Sequence, residues 1–354
     1  MESRNPSTTG NGTKPDSIDL EINTYQDTVY ALICLGHVAT WDDSNRGFRP
    51  GTKYGIGCRM KTSIANRISP SRPATPDLII VTPPRGMVAE AKLSFHGSVA
   101  DCESDLKQLM KYDDDLSGWP TPDGRIKAHD ILLIVHYTRK GEATDILAAA
   151  KKAGTFVIKR KFAAVCFNRS PQGGSESMTL ECFHGALTDR KLQRRMRPLA
   201  VPLAAVLPHH TAALYDYPPP MPLLLQLTWD RVFSTLVPPD EFLEPARKTF
   251  SITCSIDQVR ELLADACGPP RLEKCQAEIP QRDWIKRMFL HLEQMGIARR
   301  IDSKPGSYTI DYCRKPSSLD FFKRMCLKIT KPKTRLHGQK SGARPDLPGQ
   351  MPMF

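Results

Sequence analysis

The sequence contains no apolar run near the ~20 residues a helix needs to cross a bilayer, so a membrane partner is not expected. Its opening stretch, MESRNPSTTGNGTKPDS, has no apolar signal-peptide core. Residues 1–17 therefore read as a disordered lead-in, and a cytoplasmic location is expected. The 10 cysteines (Cys34, Cys58, Cys102, Cys166, Cys182, Cys254, Cys267, Cys275, Cys313 and Cys326) include no C-x-x-C pair. That scatter argues against a zinc site and a disulfide framework, and leaves most of them as small core residues. G-x-G-x-x-G and G-x-x-x-x-G-K-[ST] are both missing, which disfavours dinucleotide enzymes and ATPases and a nucleotide cofactor with them. His209-His210 has no third ligand at metal spacing and reads as a surface or linker pair.

What is present is enough chain for two domains, 354 residues with 40% hydrophobic and 25% charged side chains. The formal charge of +12 is unevenly placed. Ten Lys/Arg stand between Arg314 and Arg344 against the single acid Asp320, and Asp189 to Arg197 holds five more against one acid. Basic blocks favour polyanions through counterion release, although a solvated tail would carry the same charge.

Hydrophobic spacing predicts a helix over Ile18–Trp41, strands at Asp77–Val81 and Met87–Phe95, and a helix over Glu103–Leu116. A buried strand at His129–Thr138, a helix at Glu142–Gly154 and strands at Phe162–Arg169 and Ser177–Gly185 follow. This order predicts a mixed α/β sheet flanked by helices over residues 18–197. Residues 198–248 form a Pro-rich connector. Residues 249–313 hold a capped helix (Ser255–Gly268), a short helix or turn (Arg271–Pro280), a long amphipathic helix (Gln281–Gly296) and a hairpin turning at Lys304-Pro305-Gly306. Three helices and a basic hairpin describe a smaller winged-helix domain, followed by a basic tail at residues 314–354. Such domains also mediate contacts with a second copy of the chain or another protein.

The densest chemistry lies in ATPDLIIVTPPRGMVAEAKLSF, Ala74 to Phe95. Two strands joined by a Pro/Gly turn bring Asp77 to one end of a hairpin beside Glu90, and Lys92 shares the face of Glu90. Asp77 and Glu90 are hard oxygen donors suited to Mg²⁺, with Mn²⁺ as the alternative cation and the Ala91 carbonyl as a further ligand. A cation there would neutralise a phosphate and acidify a bound water, and Lys92 would orient that water or stabilise developing charge. The alternative is structural: Asp77 caps a strand while Glu90 and Lys92 form an ion pair. Context weighs for the site. Gln108 and Tyr112 stand four apart on the next helix and share a face, and Glu21 on the first helix is a further acid, with Asp19 and Asp27 as rivals. Asp113-Asp114-Asp115 is expected to end its helix in solvent.

Pro76-Asp77, Glu90-Ala91-Lys92 and Gln108-Leu109-Met110-Lys111-Tyr112 resemble the PD-(D/E)xK nuclease superfamily, the last being similar to the Q-x-x-x-Y element of its RecB-like members. The resemblance covers roughly residues 18–168. It implies a restriction-endonuclease-like fold in which Asp77, Glu90 and Lys92 form a metal-dependent catalytic core, Gln108 and Tyr112 support it, and Glu21 assists. On the winged helix, Arg282, Lys286 and Arg287 of the long helix and Arg299, Arg300 and Lys304 of the hairpin are placed to meet DNA phosphates. The expectation is an Mg²⁺-dependent deoxyribonuclease. A non-catalytic DNA-binding regulator on the same scaffold and a structure-specific ribonuclease are the alternatives.

Overall fold

The computed structural model describes residues 15–42, 47–62, 74–92, 99–121, 126–172, 175–207, 213–238, 249–269, 279–313 and 318–330. His209-His210, most of the expected short helix at 271–280 and the tail beyond residue 330 lie outside them. The chain forms two compact units: residues 23–218 with 264–281, and residues 1–22 with 219–263 and 282–354.

The first unit is mixed α/β. After α1 (Pro15–Thr40), which begins in the other unit, come β1 (Lys53–Ile56), β2 (Leu78–Thr82), β3 (Arg85–Lys92), α2 (Val99–Lys111), β4 (Ala128–His136) and α3 (Lys140–Lys152). Then follow β5 (Phe162–Gln172), β6 (Ser175–Gly185), α4 (Arg190–Arg195) and β7 (Leu199–Pro202). The strands make one seven-stranded sheet in the order β7-β6-β5-β4-β3-β2-β1. β3, β4 and β5 pair in parallel, and every other neighbour is antiparallel. The parallel centre is dry: β4 is buried from His129 to Val135, the near-continuous apolar run expected of a strand covered on both faces.

One face carries Ile79, Val81, Val88, Ile131, Leu133 and Val135, which pack with Leu106 and Leu109 of α2, Tyr112 in the turn that follows it, and Ala143, Ile146 and Leu147 of α3. Glu90 and Lys92 alternate in phase with Val88, so this face of β3 changes from apolar to ionic at its C-terminal end. Asp113 does not end α2 in solvent. Its carboxylate accepts the backbone N–H groups of Lys159 (2.9 Å) and Arg160 (2.8 Å), while Asp115 pairs with Arg160 at 2.6 Å, so the triplet ties the end of α2 to the loop before β5. Among the described residues, eight cysteines are outside any disulfide and mostly buried, and Cys58 is disulfide-bonded, a cross-link that the scattered spacing did not disclose.

The second unit contains α5 (Met221–Thr228), β8 (Thr249–Ser255), most of α6 (Ile256–Cys267), α7 (Arg282–Gln294), β9 (Ala298–Arg300), β10 (Ser307–Cys313) and α8 (Leu319–Thr330). The β9–β10 hairpin is extended to three antiparallel strands by β8, in the order β8-β10-β9. The long amphipathic helix is present, with Trp284, Ile285, Met288, Phe289 and Leu292 buried. Phe289 stacks on Tyr308 of the hairpin with centroids 4.2 Å apart. The basic tail begins with structure: Phe322 and Cys326 of α8 are buried, and Phe322 lies edge-on to Trp229.

Candidate active site

Backbone register brings the first two acids together. Leu78 pairs with Ala89, so one step further along the antiparallel ladder Asp77 faces Glu90. The Asp77 carbonyl accepts the Gly57 N–H at 2.9 Å, and its carboxylate Oδ2 accepts the Ala91 N–H at 2.7 Å. Asp77 is thus fixed from both sides. Gly57 has φ +62°, and a Cβ there would stand 2.2 Å from Ile279 Cδ1, so only glycine makes this turn unstrained.

Glu90 is held by α2. Tyr112 Oη donates to its Oε2 at 2.7 Å and Gln108 Nε2 to its Oε1 at 2.5 Å. Gln108 Oε1 in turn accepts from Lys92 Nζ at 2.8 Å. The ammonium also lies 3.1 Å from Glu90 Oε1 and 3.1 Å from Asp105 Oδ1. Asp105 stands one helical turn before Gln108, a spacing that already places it on the same face of α2. Sequence reasoning missed this acid.

These groups open onto a cavity of about 250 Å³ lined by Asp77, Glu90, Ala91, Lys92, Asp105 and Gln108, with Tyr215, Asp216 and Tyr217 opposite. The last three were also missed. They sit in a Pro-rich stretch with no periodicity, and nothing local marks them. A larger cavity of about 440 Å³ lies at the other end of β3, lined by Arg85, Asp130 and Lys191 among others. There Asp130 is already satisfied by the N–H and hydroxyl of Thr188, and Asp189 by Arg49, which leaves the smaller cavity as the chemically unbalanced one.

Its electrostatics follow from burial. Asp77 and Glu90 are 5% and 4% exposed. Burial raises the Asp77 pKa well above the ordinary range, and repulsion from Glu90 and Asp216 adds to it against the Ala91 N–H and Lys92. Burial likewise raises Glu90, opposed by Lys92 and by the Tyr112 hydrogen bond. Burial alone would lower Lys92, but Glu90 and Asp105 outweigh it and hold the ammonium above its usual value. A site with this excess of carboxylates gains by admitting a cation.

The donor set fits a hard divalent ion. Asp77 and Glu90 are buried carboxylates lining one pocket, and Tyr215, whose buried hydroxyl lacks a partner, lines it too. Among the described residues no three His, Cys, Asp or Glu side chains converge as a ligand cluster.

Glu21 is exposed on α1 and belongs to the other unit. The six basic residues proposed for phosphates are all exposed as well. Four face acids: Arg282 with Asp257 (2.9 Å), Lys286 with Asp283 (3.0 Å), Arg299 with Asp311 (3.2 Å) and Arg300 with Glu293 (3.5 Å). No helix among the described residues is long and apolar enough to cross a membrane. No protein-family model, no curated protein and no solved structure matches the chain.

Proposed function

We propose that the chain is a metal-dependent deoxyribonuclease, with a restriction-endonuclease-like sheet unit and a winged-helix unit that docks duplex DNA. The observation that carries this reading is the clamp on Glu90. Tyr112, Gln108 and Lys92 fix its carboxylate beside Asp77 at the open end of a hairpin. Asp77 and Glu90, with the Ala91 carbonyl, would hold Mg²⁺ or Mn²⁺. Such an ion, when bound, supplies charge neutralisation at phosphate and a lowered pKa for water. Lys92 carries a full positive charge into the cavity, where it stabilises negative charge gathering on a phosphoryl oxygen. Gln108 aims that ammonium, and Tyr112 keeps Glu90 from rotating away. Exposed Arg287 and Lys304 are the first candidates for phosphate contact, since the other four basic residues must first leave their acids.

One observation favours the non-catalytic regulator instead. Both oxygens of Glu90 already have partners, and Lys92 is shared between Glu90 and Asp105, so the cluster is nearly self-satisfied as an ion network. Incubation of the full chain with plasmid, linear duplex, single-stranded DNA and RNA, with and without Mg²⁺ or Mn²⁺, separates the readings. The expected result is cation-dependent DNA cleavage that Asp77→Ala and Lys92→Ala abolish. DNA binding without cleavage establishes the regulator, and cleavage confined to RNA establishes the ribonuclease.

A further inference from the structure

Tyr215 Oη is the one buried side-chain polar atom among the described residues with no hydrogen-bond partner. Its ring is 1% exposed and is pinned in place. Tyr25 of α1 packs against it with centroids 5.0 Å apart, Tyr217 stacks on it from the outside at 6.2 Å, and its backbone N–H donates to the Tyr25 hydroxyl at 3.4 Å. The hydroxyl therefore has little freedom to turn towards solvent. A buried donor left unpaired is unfavourable, and an apolar phenylalanine would fill the same slot without that penalty.

Tyr215 lines the cavity opposite Asp77 and Glu90, and both carboxylates are near enough to act on its ionisation. Neither is within hydrogen-bond distance, so a gap separates the donor from the acids. Asp216, the next residue, contributes a third carboxylate to the lining and is steadied by Gln281 Nε2 at 3.1 Å. With Asp105 the cavity holds four acids against the single ammonium of Lys92, a balance that repels a bare anion. A group able to fill the gap must present a cation to the carboxylates and an acceptor oxygen to the hydroxyl.

We propose that Tyr215 is a substrate-binding residue whose hydroxyl donates to a phosphoryl oxygen of a phosphate that enters the cavity bound to a divalent cation. This rests on the reading of Asp77 and Glu90 as cation ligands. It adds a recognition element from a part of the chain far beyond the Glu90–Lys92 strand.

The test compares wild type with Tyr215→Phe, which removes one oxygen and leaves the packed ring. Thermal melting of the metal-free proteins, Mn²⁺ binding, and binding of thymidine 5′-monophosphate in saturating Mn²⁺ are measured by calorimetry. The variant should melt at the same temperature or higher, bind Mn²⁺ within about twofold of wild type, and lose roughly 10- to 100-fold in nucleotide affinity, as expected for one hydrogen bond to a charged group. A lower melting temperature would mean that the hydroxyl already has a partner and overturns the proposal. So does an unchanged nucleotide affinity, a larger loss of Mn²⁺ affinity, or the absence of Mn²⁺-dependent nucleotide binding by wild type. Intact nucleotide binding in a protein that cleaves nothing removes the nuclease reading alone and leaves the role of Tyr215 standing.

Discussion

Tyr112 acts on Glu90 through both ends. Its hydroxyl donates to Glu90 Oε2 at 2.7 Å, while its backbone carbonyl is bonded to His129 Nε2 at 2.6 Å, which fixes the end of α2 against β4. Because a carbonyl only accepts, Nε2 of His129 carries the proton. Tyr112→Phe keeps the packed ring and removes the donor, so a buried carboxylate loses a partner. We expect a loss of about 1–3 kcal/mol in urea unfolding. Cleavage should fall roughly 10- to 100-fold, as when a group orienting a metal ligand is deleted. Unchanged unfolding would show that Glu90 does not rely on this bond.

His129 supplies a pH test. Burial depresses its pKa from 6.5 to about 4, so the folded protein keeps it neutral where the unfolded chain protonates it. Between these values the unfolded state binds more protons, and stability falls as pH drops from about 6.5 to about 4, then levels off. The full span corresponds to about 3 kcal/mol at about 1.4 kcal/mol per unit. Melting temperature followed across this range should slope in wild type and flatten in His129→Gln.

What could be read from the sequence is what short-range spacing encodes. Asp77, Glu90 and Lys92 sit on adjacent strands of one hairpin, and Gln108 and Tyr112 are neighbours on one helix, so period two and period 3.6 place them together. Asp105 obeys the same helical rule and was available to it. Tyr215 and Asp216 obey no local rule, because tertiary packing of an aperiodic, proline-rich stretch delivers them. Three strands escaped for different reasons, the first being Leu199–Pro202, four residues on the sheet edge at the start of the Pro-rich stretch. Lys53–Ile56 is a short edge strand in a Gly- and Arg-rich stretch, whereas Phe250, Ile252 and Cys254 alternate as a strand should. In the tail, the charge count obscured an amphipathic signal: Phe322 and Cys326 stand four apart and are buried.

Asp77 and Glu90 make metal dependence and pH dependence one measurement. Burial holds both pKa values above the ordinary carboxylate range. Their contribution to stability is therefore complete below the unfolded values and is lost as pH rises through the folded ones, opposite in sign to His129. A divalent cation replaces the protons, so its stabilising effect should be small near about pH 5 and larger near about pH 8. Melting with and without Mg²⁺ in wild type and Asp77→Asn checks this. An Mg²⁺ increment independent of pH, or retained in full by Asp77→Asn, would place the ion elsewhere.

The winged-helix reading stands or falls on salt. Each phosphate contact should contribute roughly −0.9 to the slope of log Kd⁻¹ against log salt on duplex DNA. Arg287 and Lys304 are exposed, and their replacement by alanine should each flatten the slope by about one contact. Arg299 and Arg282 face Asp311 and Asp257, so DNA must displace an acid before either can serve. Their alanine variants should lose less affinity than Arg287→Ala or Lys304→Ala. Asp311→Ala should strengthen binding, because it releases Arg299 and removes a negative charge. DNA binding measured across a salt series orders these variants. If Asp311→Ala weakens binding while Lys304→Ala leaves the slope untouched, the hairpin does not face DNA.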